Sequence, residues 1–179
     1  MSVDTPYSRS YWVVPNQLLA GFYPGDLQRD GAITKIDALI AHGIRSIVDL
    51  TEDDGDGING LRPYAGLLYE RAAHRREVLT WVRMPIVDMG VPSKIAMRLI
   101  LDFIDRSLHY DRPVYVHCWG GLGRTGAVVG CYMARHSIAV GQAALERIKI
   151  LRKDEGAAYM DSPQTDAQRD MVREWVPGE

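Results

Sequence analysis

The chain has 179 residues, 46% hydrophobic and 25% charged, with a formal net charge of −2 and a pI near 6.2. These values predict one folded domain spanning 1–179 and exclude both a disordered chain and a strongly basic nucleic-acid binder. No basic start leads into an apolar run, no apolar stretch nears the ~20 residues of a membrane span, and two cysteines cannot make a disulfide framework. The expectation is a cytoplasmic protein with neither nucleic acid nor membrane as partner.

In chain order, residues 17–23 (QLLAGFY) predict a strand entered after Pro15. Residues 32–43 predict a helix with Ile33, Ile36 and Ile40 on one face and Gly43 as its stop. A buried strand over 44–50 leads into the polar stretch TEDDGDGING. A helix over 61–77 and a strand over 80–86 come next. Pro92 and Ser93 open a further helix, whose apolar residues recur at 95, 99/100, 103/104 and 108. Residues 113–117 (PVYVH) form a buried strand that runs into a glycine loop. Three helices close the chain: 125–137 with a small-residue face, 142–153 and 163–176. Alternating strands and helices predict an α/β fold, a mostly parallel central sheet with helices on both faces. Ligands in such sheets sit beyond the carboxyl ends of the strands, where the glycine loop lies.

That loop is HCWGGLGRTG, residues 117–126. Strand, glycine-rich loop and helix form an anion cradle. Glycines let successive N–H groups turn inward, and the helix adds its positive end. Trp119, Gly120, Gly121, Leu122 and Gly123 line the cradle. Arg124 supplies a planar, two-pronged donor suited to phosphate oxygens. Cys118 stands at the start of the cradle, in a field that favours a thiolate nucleophile. Thr125 can donate to that sulfur, and His117 can brace the loop through its backbone. The bland reading, a small buried cysteine, suits Cys131 in mid-helix instead.

These residues resemble the His-Cys-x5-Arg-[Ser/Thr] signature of the cysteine-dependent protein tyrosine phosphatase superfamily. They are most similar to its dual-specificity branch, where GGLGR loops occur. The resemblance covers about 80–174 and implies the dual-specificity phosphatase fold, a phosphocysteine intermediate, and no metal or other cofactor. The Gly-Lys-[Ser/Thr] of nucleotide-binding P-loops is absent.

Phosphate-ester hydrolysis also needs a proton for the leaving oxygen. Asp88, in the loop PIVDMGVPS after a strand, lies 30 residues before Cys118. The family's acid loop lies about that far upstream, without here the tryptophan of its tyrosine-specific form. Asp49 and Asp102 are weaker candidates because they fall within predicted elements. Near the C-terminus, Gln164-Thr165-x-x-Gln168 resembles the glutamine loop that positions water in the tyrosine-specific branch. The same stretch is also an ordinary helix start, with Ser162 or Thr165 as cap.

Three other features carry less. The acidic stretch 52–57 lacks the calcium-loop pattern at Ile58 and Asn59, and reads as a solvated loop near the site mouth. The five histidines show no zinc spacing. Arg71, Arg75 and Arg76 read as a solvated helix face. The sequence therefore predicts hydrolysis of a phosphorylated protein or a small phosphate monoester. Inositol phosphates or phosphoinositides, and a non-catalytic phosphoresidue-binding module, are the alternatives. The absence of lysine within the loop leans toward protein substrates.

Overall fold

A computed structural model describes residues 4–52 and 62–179. The acidic residues from 53 onward, and the calcium-loop positions 58 and 59, lie outside them. The first strand, β1 (Ser10–Val14), pairs antiparallel with β2 (Leu18–Gly21). Pro15 and Asn16 turn the chain between them, with Asn16 at φ 59°, a conformation asparagine tolerates. β1 is not among the predicted strands. Its five residues end against Pro15, which in the sequence reads as the entry to β2 alone.

The remaining strands are β3 (Ser46–Asp49), β4 (Thr80–Arg83) and β5 (Val114–His117), and the sheet order is β1-β2-β5-β3-β4. Every pairing except β1 with β2 is parallel. The register places Gly21, His117, Asp49 and Arg83 side by side at the carboxyl ends. One row of residues therefore forms the edge of the sheet beneath the glycine loop.

Successive residues of a strand face opposite sides. Leu19, Ile47 and Tyr115 face one core, closed by α1 (Arg29–Ala41) and α2 (Ala65–His74). Ala20, Val48, Val114 and Val116 face the other, closed by α3 (Lys94–His109), α4 (Gly123–Arg135), α5 (Gln142–Leu151) and α6 (Asp166–Glu174). In α1 the buried face is Ala32, Ile36, Leu39 and Ile40, with Ile33 at its margin, and Gly43 ends the helix at φ 84°.

α3 opens as expected, Ser93 Oγ accepting the Ala96 N–H at 3.1 Å. Its buried face is the predicted one only in part: Ile100 and Ile104 are inside, together with Met97 and Leu101, whereas Ile95 and Leu99 are exposed. At about 100° per residue Ile95 and Leu99 each stand about 160° around the helix from Met97, on its outer side, and Phe103 comes part of the way back and is half-buried. Arg75 and Arg76 are exposed, as a solvated face requires, whereas Arg71 is half-buried and the face is also tied to a neighbour. Arg71 and Arg75 both pair with Asp37 of α1, Arg71 through two hydrogen bonds at 2.7 and 2.9 Å, tying α2 to α1.

The small-residue face of α4 is real. A Cβ on Gly126 would meet Ser162 Oγ at 2.3 Å, and one on Gly130 would meet Val172 of α6 at 2.5 Å. These glycines bring the segment before α6, and α6 itself, against the helix that carries the signature.

Candidate active site

Val114–His117 ends the central strand β5, and residues 118–122 cross directly to the first turn of α4. Gly121 makes the turn at φ 73°. A Cβ there would lie 2.5 Å from the Gly21 carbonyl carbon, so glycine is required both by conformation and by contact with β2.

Four of the loop's carbonyls are held, three of them by donors outside it. The His117 ring donates from Nδ1 to Cys118 O at 3.0 Å, Tyr23 N–H donates to Trp119 O at 3.2 Å, Arg9 Nη2 to Gly120 O at 2.9 Å, and Ser162 Oγ to Leu122 O at 2.8 Å. These four hydrogen bonds fix the course of the loop into the N-terminus of α4. A helix N-terminus approached by such a glycine-rich loop is where anion nests form.

The tautomer of His117 follows from its neighbours. Trp81 Nε1–H donates to Tyr64 Oη at 2.9 Å, so the Tyr64 hydroxyl donates onward to His117 Nε2 at 2.5 Å, which leaves the proton on Nδ1. His117 is fully buried, and burial holds its pKa below the ordinary histidine value, keeping the ring neutral. The buried carboxylate of Asp49 stands 4.0 Å from Nε2 and is occupied by Thr51, whose N–H and Oγ1 donate to it at 2.9 and 2.6 Å. Asp49 thus belongs to the layer behind the loop. Asp102 is remote, paired with Arg135 at 2.8 Å.

Cys118 and Arg124 are both nearly buried, yet both line a cavity of about 370 Å³. Arg124 Nη1 donates to Ile86 O at 3.1 Å, and Nη2 meets Asp88 Oδ1 at 2.9 Å. Asp88 sits in a turn closed by Gly90 N–H to Val87 O at 2.9 Å, with Met89 at φ 59°. The Asp88 N–H donates to Glu52 Oε2 at 3.0 Å, so the described edge of the acidic stretch does reach the site.

Gln164 and Gln168 line the same cavity. Thr165 is the cap of α6 and Gln168 completes a capping box with it. Both glutamine side chains press on Gly123, where a Cβ would stand 2.9 Å from each Oε1. The Thr125 hydroxyl makes no hydrogen bond to the Cys118 sulfur. It is buried and without a partner among the described residues. Thr125 lies in a turn of α4 enclosed on all sides, where packing sets the rotamer of a β-branched side chain. Cys131 is buried in α4, and burial raises its thiol pKa far above the ordinary value.

Sequence reasoning missed Arg9, Phe22, Met89 and Met160, which also line the cavity. Arg9 lies over the Phe22 ring at 4.2 Å, and its nearest acid among the described residues is Glu155 at 3.7 Å. Tyr64 and Trp81 were missed as well. No spacing marks Arg9, Phe22, Tyr64, Trp81 or Met160, because each comes from a separate segment without a motif, and nothing in its residue type marks Met89 beside Asp88.

The family model "Polymorphic toxin system, DSP-PTPase phosphatase" matches residues 27–138, more than half of the chain. The dual specificity protein phosphatase CDC14AB of Danio rerio is 38% identical over 66 residues, 37% of this chain and 10% of that protein. The phosphatidylglycerophosphate phosphatase PTPMT2 of Arabidopsis thaliana is 34% identical over 61 residues, 34% of this chain and 27% of that one. The matches thus span about a quarter or less of those relatives' lengths. Among solved structures, kinase associated phosphatase with its catalytic-site cysteine changed to serine superposes with a TM-score of 0.69 at 20% identity, over 96% of this chain and 94% of that one. That likeness shows the dual-specificity phosphatase fold.

Proposed function

The chain belongs to the DSP-PTPase phosphatase family of polymorphic toxin systems, and on that premise we propose that it hydrolyses phosphate monoesters through a phosphocysteine, with phosphorylated protein side chains as substrates. The observation that carries this reading is the convergence of Cys118, Arg124 and Asp88 on one cavity. In the first step the Cys118 sulfur bonds to phosphorus while the ester P–O bond breaks, and Asp88 gives its proton to the leaving oxygen. The N–H groups of residues 119–123 and the Arg124 guanidinium hold the other phosphate oxygens. In the second step water bonds to phosphorus, the S–P bond breaks, and Asp88 takes the proton. Positioning and charge complementarity supply most of the rate, as phosphoryl transfer demands.

Phe22, Trp119 and Met160 give the cavity apolar walls, which favours a flat aryl ester such as phosphotyrosine. The two cysteines are free, which fits a reducing compartment, the cytoplasm. Among the described residues no helix is long and apolar enough to cross a membrane.

Release of inorganic phosphate from phosphotyrosyl peptides tests the reading. Wild type should turn them over, and Cys118→Ser should bind vanadate without turnover. Turnover retained in that variant would sink the nucleophile. Phosphopeptide binding without phosphate release by wild type would favour the non-catalytic module. Arg9 favours a second reading. It adds a second cation to the cavity wall and suits an inositol phosphate or phospholipid headgroup with a further anionic group. A higher kcat/KM for such esters than for every phosphopeptide would decide for it.

A further inference from the structure

We infer that Gln168 is a positioning residue whose side-chain amide latches the acid loop to the phosphate loop and so holds Asp88 over the site. The inference rests on the phosphatase reading above for the role of Asp88, but the latch itself is visible in the geometry.

Gln168 is fully buried, and its amide is already committed. Oε1 accepts the N–H groups of Gln164 and Thr165, both at 3.1 Å. Nε2 donates to Gly90 O at 3.0 Å. Gly90 is two residues past Asp88, and its own N–H closes the turn that contains Asp88. On its third side the amide rests on Gly123, where a Cβ would stand 2.9 to 3.0 Å from Oε1 and Nε2. One side chain therefore joins three segments: the acid loop, the start of α6 and the phosphate loop. With oxygen and nitrogen so engaged, Gln168 is poorly placed to orient water.

Residue type supports the assignment. A capping box takes Glu as readily as Gln, because the cap needs only an acceptor. The contact with Gly90 O needs a donor, which an ionised carboxylate lacks. Gln168→Glu thus preserves shape and cap while cutting only the latch. It also sets oxygen against oxygen at Gly90.

The test measures three things on Gln168→Glu. Amide exchange over residues 87–91 should quicken while the melting temperature stays close to wild type. Turnover should fall about tenfold for phenyl phosphate but less than about threefold for 4-nitrophenyl phosphate, because only the poorer leaving group depends strongly on a well-placed acid. The ratio of variant to wild-type activity should rise as pH falls, since the introduced carboxyl regains a donor when protonated. A structural role in capping moves none of these selectively. Unchanged loop exchange, equal losses for the two esters, or a flat ratio would each overturn the latch. Should the charge prevent folding, Gln168→Met carries the exchange and leaving-group readouts. The exchange measurement needs no turnover. A wild type that hydrolyses neither ester would overturn the phosphatase reading while exchange still decides the latch.

Discussion

Arg124 and Asp88 form an ion pair at 2.9 Å across the mouth of the cavity, although Arg124 is nearly buried and the Asp88 side chain is 70% exposed. The proposed clamp and the proposed acid are thus partners of one another. A phosphate dianion entering the loop competes with Asp88 for the same Nη2 group. Removing the carboxylate should therefore release Arg124 to the ligand. Asp88→Ala should bind vanadate at least as tightly as wild type while turnover falls about 100-fold or more. Weaker vanadate binding in the variant would contradict the competition. Asp88→Asn should lose most with phenyl phosphate and least with 4-nitrophenyl phosphate.

Packing of α4 on α6 gives a prediction about stability. Gly130 has no room for a side chain, since a Cβ would stand 2.5 Å from Val172, itself fully buried. Gly130→Ala should cost about 1–3 kcal/mol through overpacking, despite alanine's better helix propensity. In a Val172→Ala background the two methyl groups at 2.5 and 2.6 Å are gone and only the Cβ at 3.1 Å remains, so the same change should cost much less. Denaturant unfolding of the four proteins measures the coupling. Additive losses would mean that the two residues do not meet.

Much of this arrangement was legible in the sequence because it is local. Strand β5, the loop and the start of α4 are consecutive, so 117–126 carries the proposed nucleophile, nest and clamp in one stretch. Asp88 was legible from a loop placed after a strand. What supports these groups was not. Arg9, Tyr23 and Ser162 hold the loop carbonyls from positions 40 to 111 residues away. The Trp81–Tyr64–His117 chain exists only once β4, α2 and β5 are packed together. The exposed side of α3 was misread for a different reason. Ile95 and Leu99 are as apolar as the residues that are buried, and only packing against the sheet selects between the two stripes.

His117 carries a pH dependence of stability. Its folded pKa is held down by burial, whereas in the unfolded chain it returns to about 6.5. Below that value the unfolded state binds a proton that the folded state refuses, so stability is lost as pH falls from about 6.5 toward the folded pKa. His117→Gln has no such group. The melting-temperature advantage of wild type over this variant should shrink between pH 8 and pH 5. A constant difference would mean that His117 titrates alike in both states.

Gln164 should behave differently from its neighbour four residues on. Its backbone N–H is spent on Gln168 Oε1 and its carbonyl accepts from Arg169 Nη1 at 3.0 Å, but its side-chain amide makes no hydrogen bond among the described residues. That amide lines the cavity and stands beside Gly123, next to where phosphocysteine would form. It is placed to hold the water of the second step, after the leaving group has gone. Gln164→Ala should therefore leave the first step almost intact and slow the second. Rapid-quench measurements with 4-nitrophenyl phosphate should show a burst of nitrophenol, near one per active site, followed by slower steady turnover. Added alcohols should compete better for the phosphoryl group than they do in wild type. Gln168→Glu should show no burst, because its defect falls on protonation of the leaving oxygen in the first step. A burst in both variants, or in neither, would remove the division of labour between the two glutamines.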